Sequence, residues 1–262
     1  MSDPQLMLTP GPHLKAEQNT VQIMWTVTAT LVPTLIWATY LFGWNVVALV
    51  ASGVVGAVAG EYLVTRLRHQ RASLVDGSGI LTGVLLVGTL SPGLPWGMPA
   101  IGGFVAIVFG KMVFGGLGFN IFNPALVGRA FLMASFPLAM TTTWRAPFTA
   151  VTQATPLTAM KLNSWEGAIP YLQFFMGERA GSVGEVSVLL ILVGAAVLLW
   201  KRIITLTIPL SVISGLGLVA IFSGVPLFHL LTGGLWFGAF YMATDYVTAP
   251  MLPTAQIIFG IC

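Results

Sequence analysis

Charge is so sparse along this chain that it cannot cover a water-facing surface. Acidic and basic residues make up 7% of the 262 positions, and 56% are hydrophobic. A soluble domain carries about 25% charged residues. At about 20 apolar residues per crossing, the length admits roughly eight to ten membrane spans joined by short loops. The same composition excludes a disordered chain. The single cysteine, Cys262, excludes a disulfide scaffold and cannot by itself supply a zinc or iron–sulfur site. Eleven Lys and Arg against eight Asp and Glu form no basic stripe, so no nucleic-acid partner is expected. The 30 glycines exceed the usual share of roughly 7% and suit helices that pack closely in lipid.

The apolar pattern predicts an all-α polytopic membrane protein. Residues 1–20 are polar and proline-bearing, lack the short apolar core of a cleavable signal, and read as a cytoplasmic N-terminal segment. Spans follow over about 21–42, interrupted by Pro33, then 46–64, a short one over 78–90, 99–114 with Lys111 in its last turn, and 124–138. These make a first unit over 21–140. A polar stretch over 141–185 separates it from spans near 186–200, 205–222 and 228–244. The last begins at Pro253 and reaches Cys262 after ten residues, too few to cross a bilayer, so a longer natural chain is expected.

The basic residues orient this arrangement. With the N-terminus cytoplasmic, that side holds Lys15, Arg66, Arg68, Arg71, Lys111, Lys201 and Arg202, against Arg145, Lys161 and Arg179 on the other. This satisfies the positive-inside rule and turns the 141–185 loop outward. The Trp residues, among them Trp25, Trp37, Trp44, Trp96, Trp144 and Trp165, cluster at span ends as an interfacial belt.

An internal repeat sharpens the architecture. Residues 80–88, ILTGVLLVG, resemble residues 230–238, LLTGGLWFG, at a constant offset of 150 positions. The copies open the third and eighth spans, so they cross in opposite directions, and a proline-led span follows each at Pro99 and Pro253. That pattern predicts an inverted repeat of two five-helix units, about ten spans in all. The second unit, over 186–262, lacks its last one or two spans. Such folds place a functional site near the midplane between the halves.

Residues 115–131, GGLGFNIFNPALVGRAF, hold the densest information. The glycines allow close backbone approach. Asn120 and Asn123 supply donors and acceptors, and Pro124 suits a first helical turn. Arg129, inside a span, is either a functional residue or the partner of a carboxylate. Glu61 lies late in the second span, where it can pair with Arg66 or Arg129 near the cytoplasmic edge. Asp245 ends the eighth span and can cap the next turn. Asp76 can cap the third helix, and His229 is an interfacial residue.

The 115–131 run is similar to the motif of a family that includes the D subunit of the Rnf electron-transport complex and the B subunit of the sodium-translocating NADH:quinone oxidoreductase. Asp76-Gly77-Ser78 and Ala243-Thr244-Asp245 resemble that family too, and the likeness extends from about Met24 to Cys262. The family shares its ten-helix inverted repeat in outline with urea transporters.

The resemblance implies a cofactor that composition does not reveal. Within Val151-Thr152-Gln153-Ala154-Thr155-Pro156-Leu157, Thr155 matches the threonine that carries FMN through a phosphoester made by a separate flavin transferase outside the cytoplasm. Gln153 stands where the common motif has glycine. Pro156 biases Thr155 away from helix and keeps its hydroxyl accessible. Without the resemblance, this loop reads as an ordinary solvated connection. A second, non-covalent flavin such as riboflavin is implied between the repeats near Asn120, Asn123 and Arg129, and Glu61 and Asp245 are candidates for the ion pathway.

The implied function is a membrane flavoprotein subunit, inactive alone. It passes electrons between reduced ferredoxin and NAD+ and couples this to Na+ or H+ movement across a bacterial or archaeal plasma membrane. With one cysteine and no nucleotide-binding glycine fingerprint, the chain needs iron–sulfur subunits and a second covalent-FMN subunit as partners. The alternatives are the B subunit of the quinone oxidoreductase, or a small-solute channel with Thr155 unmodified.

Overall fold

A computed structural model describes residues 19–69, 76–162, 164 and 168–262. The segment 1–18 with Lys15, and also Arg71, Trp165 and Glu166, lie outside the described residues. Among the described residues all regular structure is helical, and the one extended pairing is an isolated bridge between Arg145 and Thr152.

Helices α1 (Thr20–Phe42) and α2 (Asn45–Leu67) have 23 residues each. At 1.5 Å per residue they reach about 34 Å, enough to cross a hydrocarbon layer of about 30 Å. Pro33 lies inside an unbroken α1 rather than interrupting it, as transmembrane helices tolerate proline where neighbouring groups satisfy the freed carbonyl. The outward faces are apolar: Ile36 and Val55 are 65% exposed and Phe222 92%. Side chains of this kind, unburied all along the helices, face lipid. The chain is an all-α polytopic membrane protein.

The next helices pack against α2. They are α3 (Ser78–Gly88), α4 (Gly97–Ile107, prolonged by a π-helical turn over Val108–Met112), α5 (Pro124–Ser135) and the short α6 (Pro137–Thr142). Helix α2 lies along both α3 and α4, and glycine sets the spacing. A Cβ on Gly83 would fall 2.7 Å from Val54 Cα, and one on Gly128 would fall 2.6 Å from the Gly102 carbonyl oxygen. Leu31, Leu49, Leu86, Leu90, Leu132 and Ile191 fill the core between these elements and the second half.

The 141–185 stretch contains two short helices, α7 (Pro156–Lys161) and α8 (Tyr171–Met176). It is tied to the bundle by Phe148 N–H donating to the Leu41 carbonyl at 2.7 Å and by Trp37 Nε1 donating to the Met176 carbonyl at 3.0 Å. Its final residues do not behave as a solvated loop. Arg179 to Gly184 are buried. Val183 and Gly184 N–H groups donate to the Leu90 and Gly88 carbonyls, at 3.0 and 2.7 Å, so the segment takes up orphan acceptors at the end of α3.

Helices α9 (Val188–Trp200), α10 (Thr207–Ile221), α11 (Pro226–Leu231), α12 (Leu235–Phe237, prolonged by a π-helical turn over Gly238–Met242) and α13 (Pro253–Ile261) complete the chain. The expected span over 228–244 is split. Thr232 is extended and Gly233 has φ +77°, so the second copy of the repeated motif breaks where the first runs as one helix. The physical reason is Gly233-Gly234 in the place of Gly83-Val84: two adjacent glycines open the left-handed region to the backbone inside the motif.

The close approach of α2 and α3 makes a direct test. Gly83→Val is expected to destabilise the detergent-solubilised protein by about 1–3 kcal/mol through overpacking. Gly97→Ala, where an added Cβ meets nothing within 4 Å, is expected to stay within about 0.5 kcal/mol of the parent. Thermal unfolding followed by tryptophan fluorescence reads both.

Candidate functional site

The start of α3 is built to hold charge. Gly77 takes φ +76° as the N-cap. Asp76 Oδ1 accepts from the Ser78 N–H at 2.8 Å and from the Ser78 hydroxyl at 2.6 Å. Lys111 reaches this point from the end of α4. Val113 N–H bonds to the Val108 carbonyl at 3.0 Å and Gly116 N–H to the Lys111 carbonyl at 3.1 Å. These i→i+5 bonds widen the helix and shift its register, as π turns do at many functional sites. The side chain is then only 2% exposed. Its Nζ donates to Glu61 Oε1 at 2.7 Å and to Ser78 Oγ at 2.6 Å, with Asp76 Oδ2 4.0 Å away.

Two expectations are corrected here. Glu61 is fully buried and pairs with Lys111, not with Arg66 or Arg129. Lys111 does not mark a membrane face; the π turn carries it inward. The signal for this was present, since a lone lysine deep in an apolar span is costly unless paired. Gly79 completes the arrangement, because a Cβ there would fall 2.6 Å from Glu61 Oε2.

Lys111 borders an inner cavity of about 80 Å³ between the two halves. Ser78, Thr82, Lys111, Asn120, Asn123 and Asp245 supply its polar lining. Gly115, Gly116 and Gly118 all have positive φ, which folds the chain back so that both asparagines face this space. Asn123 Oδ1 accepts from Ala125 N–H at 3.0 Å and so caps α5. Its Nδ2 donates to the Met242 carbonyl at 3.4 Å, joining the halves. Asn120 Nδ2 donates to the Phe122 carbonyl at 3.2 Å, and Asp245 Oδ2 accepts from the Thr248 hydroxyl at 3.2 Å.

Arg129 belongs elsewhere. It is half-buried and donates from Nη1 to the Thr89 carbonyl at 3.0 Å. The C-terminus of α3 presents unpaired carbonyls and the negative end of its dipole, and a cation there is stabilised by both. Arg129 therefore pairs with neither a carboxylate nor the inner cavity. Among the described residues no group of three or more His, Cys, Asp or Glu is placed to hold a metal ion.

The Thr155 region forms a second site. Ala146 N–H donates to Val151 O at 3.1 Å and Gln153 N–H to Trp144 O at 2.8 Å, bracketing the Arg145–Thr152 bridge. Thr155 is extended (φ −65°, ψ 153°) and is the N-cap of α7, with Pro156 at the first helical position, where its missing N–H costs nothing. The threonine is half-buried. Its hydroxyl accepts from Thr158 N–H at 3.3 Å and lies 2.9 Å from the Thr158 hydroxyl.

Beside this threonine lies a cavity of about 460 Å³, lined among others by Gln153, Ala154, Pro156, Phe174, Glu178 and Arg179. Ligand pockets span roughly 300–1,000 Å³, so this cavity falls in the range and the inner one falls below it. Arg179, assigned from the sequence only to the charge balance of the loop, is 4% exposed. It donates to the carbonyls of Leu231, Glu185 (2.9 Å) and Gly233 (3.5 Å). Burial pulls its pKa below the ordinary arginine value and Glu185 opposes that shift, though guanidinium stays protonated in proteins.

Comparison with known proteins places this geometry in context. Residues 7–262 match the NQR2, RnfD, RnfE family. The chain is similar to the D subunit of the proton-translocating ferredoxin:NAD+ oxidoreductase complex of Clostridium ljungdahlii, at 40% identity over 97% of this chain and 82% of that protein. It is 39% identical to the D subunit of the Na+-translocating ferredoxin:NAD+ oxidoreductase complex of Acetobacterium woodii, over 100% and 83% of the two chains. The D subunit of the ion-translocating oxidoreductase complex of Rhodobacter capsulatus is 37% identical over 96% and 81%.

The buried pair predicts a stability pattern. Lys111→Met alone leaves a buried carboxylate without its ammonium and is expected to cost about 3–5 kcal/mol. The double variant Glu61→Leu/Lys111→Met is expected to recover most of that loss, since apolar replacement of a whole buried pair is often neutral. A double-mutant cycle on thermal unfolding measures the difference.

Proposed function

The chain belongs to the NQR2, RnfD, RnfE family, and we propose that it is the subunit that carries covalent FMN on Thr155 in an ion-translocating ferredoxin:NAD+ oxidoreductase complex. Family membership and the names of its relatives support the redox-driven translocase. The observation that carries the flavin reading is local: Thr155 is an extended residue whose neighbours Ala154 and Pro156 line a 460 Å³ cavity. FMN bound there would exchange one or two electrons between carriers, the hard chemistry belonging to the cofactor.

The chain's own residues position and enclose. Pro156 and the bracketed 145–152 turn hold the Thr155 backbone extended. Phe174, 3% exposed, gives the cavity an apolar wall that limits water. Iron–sulfur subunits, a second covalent-FMN subunit and a flavin transferase are the partners this role requires.

In the same reading the N-terminus is cytoplasmic and the Thr155 loop faces outward. Support comes from Arg66, Arg68, Lys201 and Arg202, all exposed at the ends of α2 and α9, where a positive-inside bias places them in the cytoplasm. Glu61 and Asp245 then lie on the ion path, with Lys111 compensating Glu61. The ion itself is a finer property than the family, since relatives at 40% and 39% identity are named for protons and for Na+. A second, non-covalent flavin between the halves belongs to the same reading, with Asn120 and Asn123 as its candidate contacts, since both line the inner cavity and Arg129 does not.

Co-expressed with a flavin transferase, the full chain is expected to give a fluorescent band on a denaturing gel under ultraviolet light. Thr155→Val is expected to abolish that band completely, and Thr158→Val to retain it. A dark parent band rejects the flavin reading in favour of a channel.

A further inference from the structure

We propose that the cavity beside Thr155 seats the isoalloxazine ring of the attached flavin, and that Arg179 is the residue that meets the negative charge the ring gains on reduction. This inference rests on covalent attachment at Thr155.

Three observations carry it. The cavity is large enough for a three-ring system and is built from the residues flanking Thr155 together with Phe174, Glu178 and Arg179. The guanidinium is 4% exposed and forms no side-chain ion pair among the described residues. Its Nη atoms are committed to carbonyls of Leu231, Glu185 and Gly233, whereas its Nε is buried with no hydrogen-bond partner. Burial disfavours this cation more than the nearby Glu185 charge favours it, and a buried donor left unpaired adds to the cost. Negative charge arriving in the adjoining cavity offsets the electrostatic part of that cost.

The carbonyls that hold Arg179 also fix where it sits. Those of Leu231 and Gly233 flank the break between α11 and α12. The Thr155 helix reaches the same place, because Leu157 Cδ1 would stand 3.1 Å from a Cβ on Gly233. The attachment residue and the cation are thus anchored on one irregular turn. Glu178 also lines the cavity, but it is exposed, so solvent screens its charge far more than that of the buried Arg179.

The test uses the full chain co-expressed with a flavin transferase, the gel band first confirming attachment. Arg179→Gln is expected to weaken the reduced state relative to the oxidised state about tenfold. This lowers the flavin's two-electron midpoint potential by about 30 mV in spectroelectrochemical titration. Arg179→Lys, which keeps the charge, is expected to fall between Arg179→Gln and the parent. If Arg179→Gln does not accumulate, Ala159→Phe fills the same cavity without touching the cation. It is expected to lower the steady-state fluorescence anisotropy of the attached flavin by releasing the ring. A fluorescent band with unchanged potential in Arg179→Gln, or unchanged anisotropy in Ala159→Phe, overturns the inference and leaves attachment intact. A parent chain without a band overturns the attachment reading instead.

Discussion

A polar group inside lipid has no water to fall back on, so each one must find its partner within the protein. That constraint organises this chain more than any single contact. Lys111 is acceptable inside the bundle because its ammonium donates to Glu61 Oε1 and Ser78 Oγ at 2.7 and 2.6 Å. Arg129 is acceptable because the end of α3 leaves the Thr89 carbonyl open. Arg179 is acceptable because a broken helix turns the carbonyls of Leu231 and Gly233 toward it. In every case the irregularity of a neighbouring helix, a π turn, a short end or a break, supplies the geometry that a continuous α-helix would withhold.

Helix α3 ties these solutions together. Its first turn holds Asp76 and Ser78 beside the Lys111 ammonium. The carbonyls at its end accept from Arg129 and from the backbone of Val183 and Gly184, just beyond Arg179 in the chain. The inner cavity runs along α3 from Ser78 to Leu85, so about one further turn of helix leads to the end that holds the Val183–Gly184 segment. Glycine along α3 keeps that helix central: Gly79 admits Glu61, Gly83 admits α2, and at Gly88 a Cβ would fall 2.6 Å from the ring of Phe237.

Much of this is legible in the sequence, and the parts that are not share a cause. Apolar length and charge scarcity locate the helices to within a few residues, because lipid exposure acts on each segment separately. Asn120, Asn123 and Asp245 do share one cavity between the halves, where an inverted repeat places a site. What the sequence hides are the register changes. A π turn is one residue out of step, too small to disturb a hydropathy pattern, yet it moves Lys111 from a membrane face into the core. Arg179 is hidden differently. It lies in a polar stretch where a cation is ordinary, and only the fold shows that the final residues of that stretch turn inward beneath α3.

The two cavities also divide the chemistry by size and by charge. The inner one, about 80 Å³, has Asp245 in its wall, and Glu61 and Asp76 stand behind its single Lys111. The Thr155 cavity, about 460 Å³, is larger, with a buried Arg179 and, among its lining residues, one carboxylate, Glu178, turned to solvent. In the proposed reading the electron carrier and the cation occupy different cavities. Helix α3 borders the inner one, its two ends are satisfied by different partners, and its middle has no polar residue other than Thr82. Thr82 lines the inner cavity with its hydroxyl donating to the Ser78 carbonyl at 2.9 Å, and the rest of α3 beyond it is apolar.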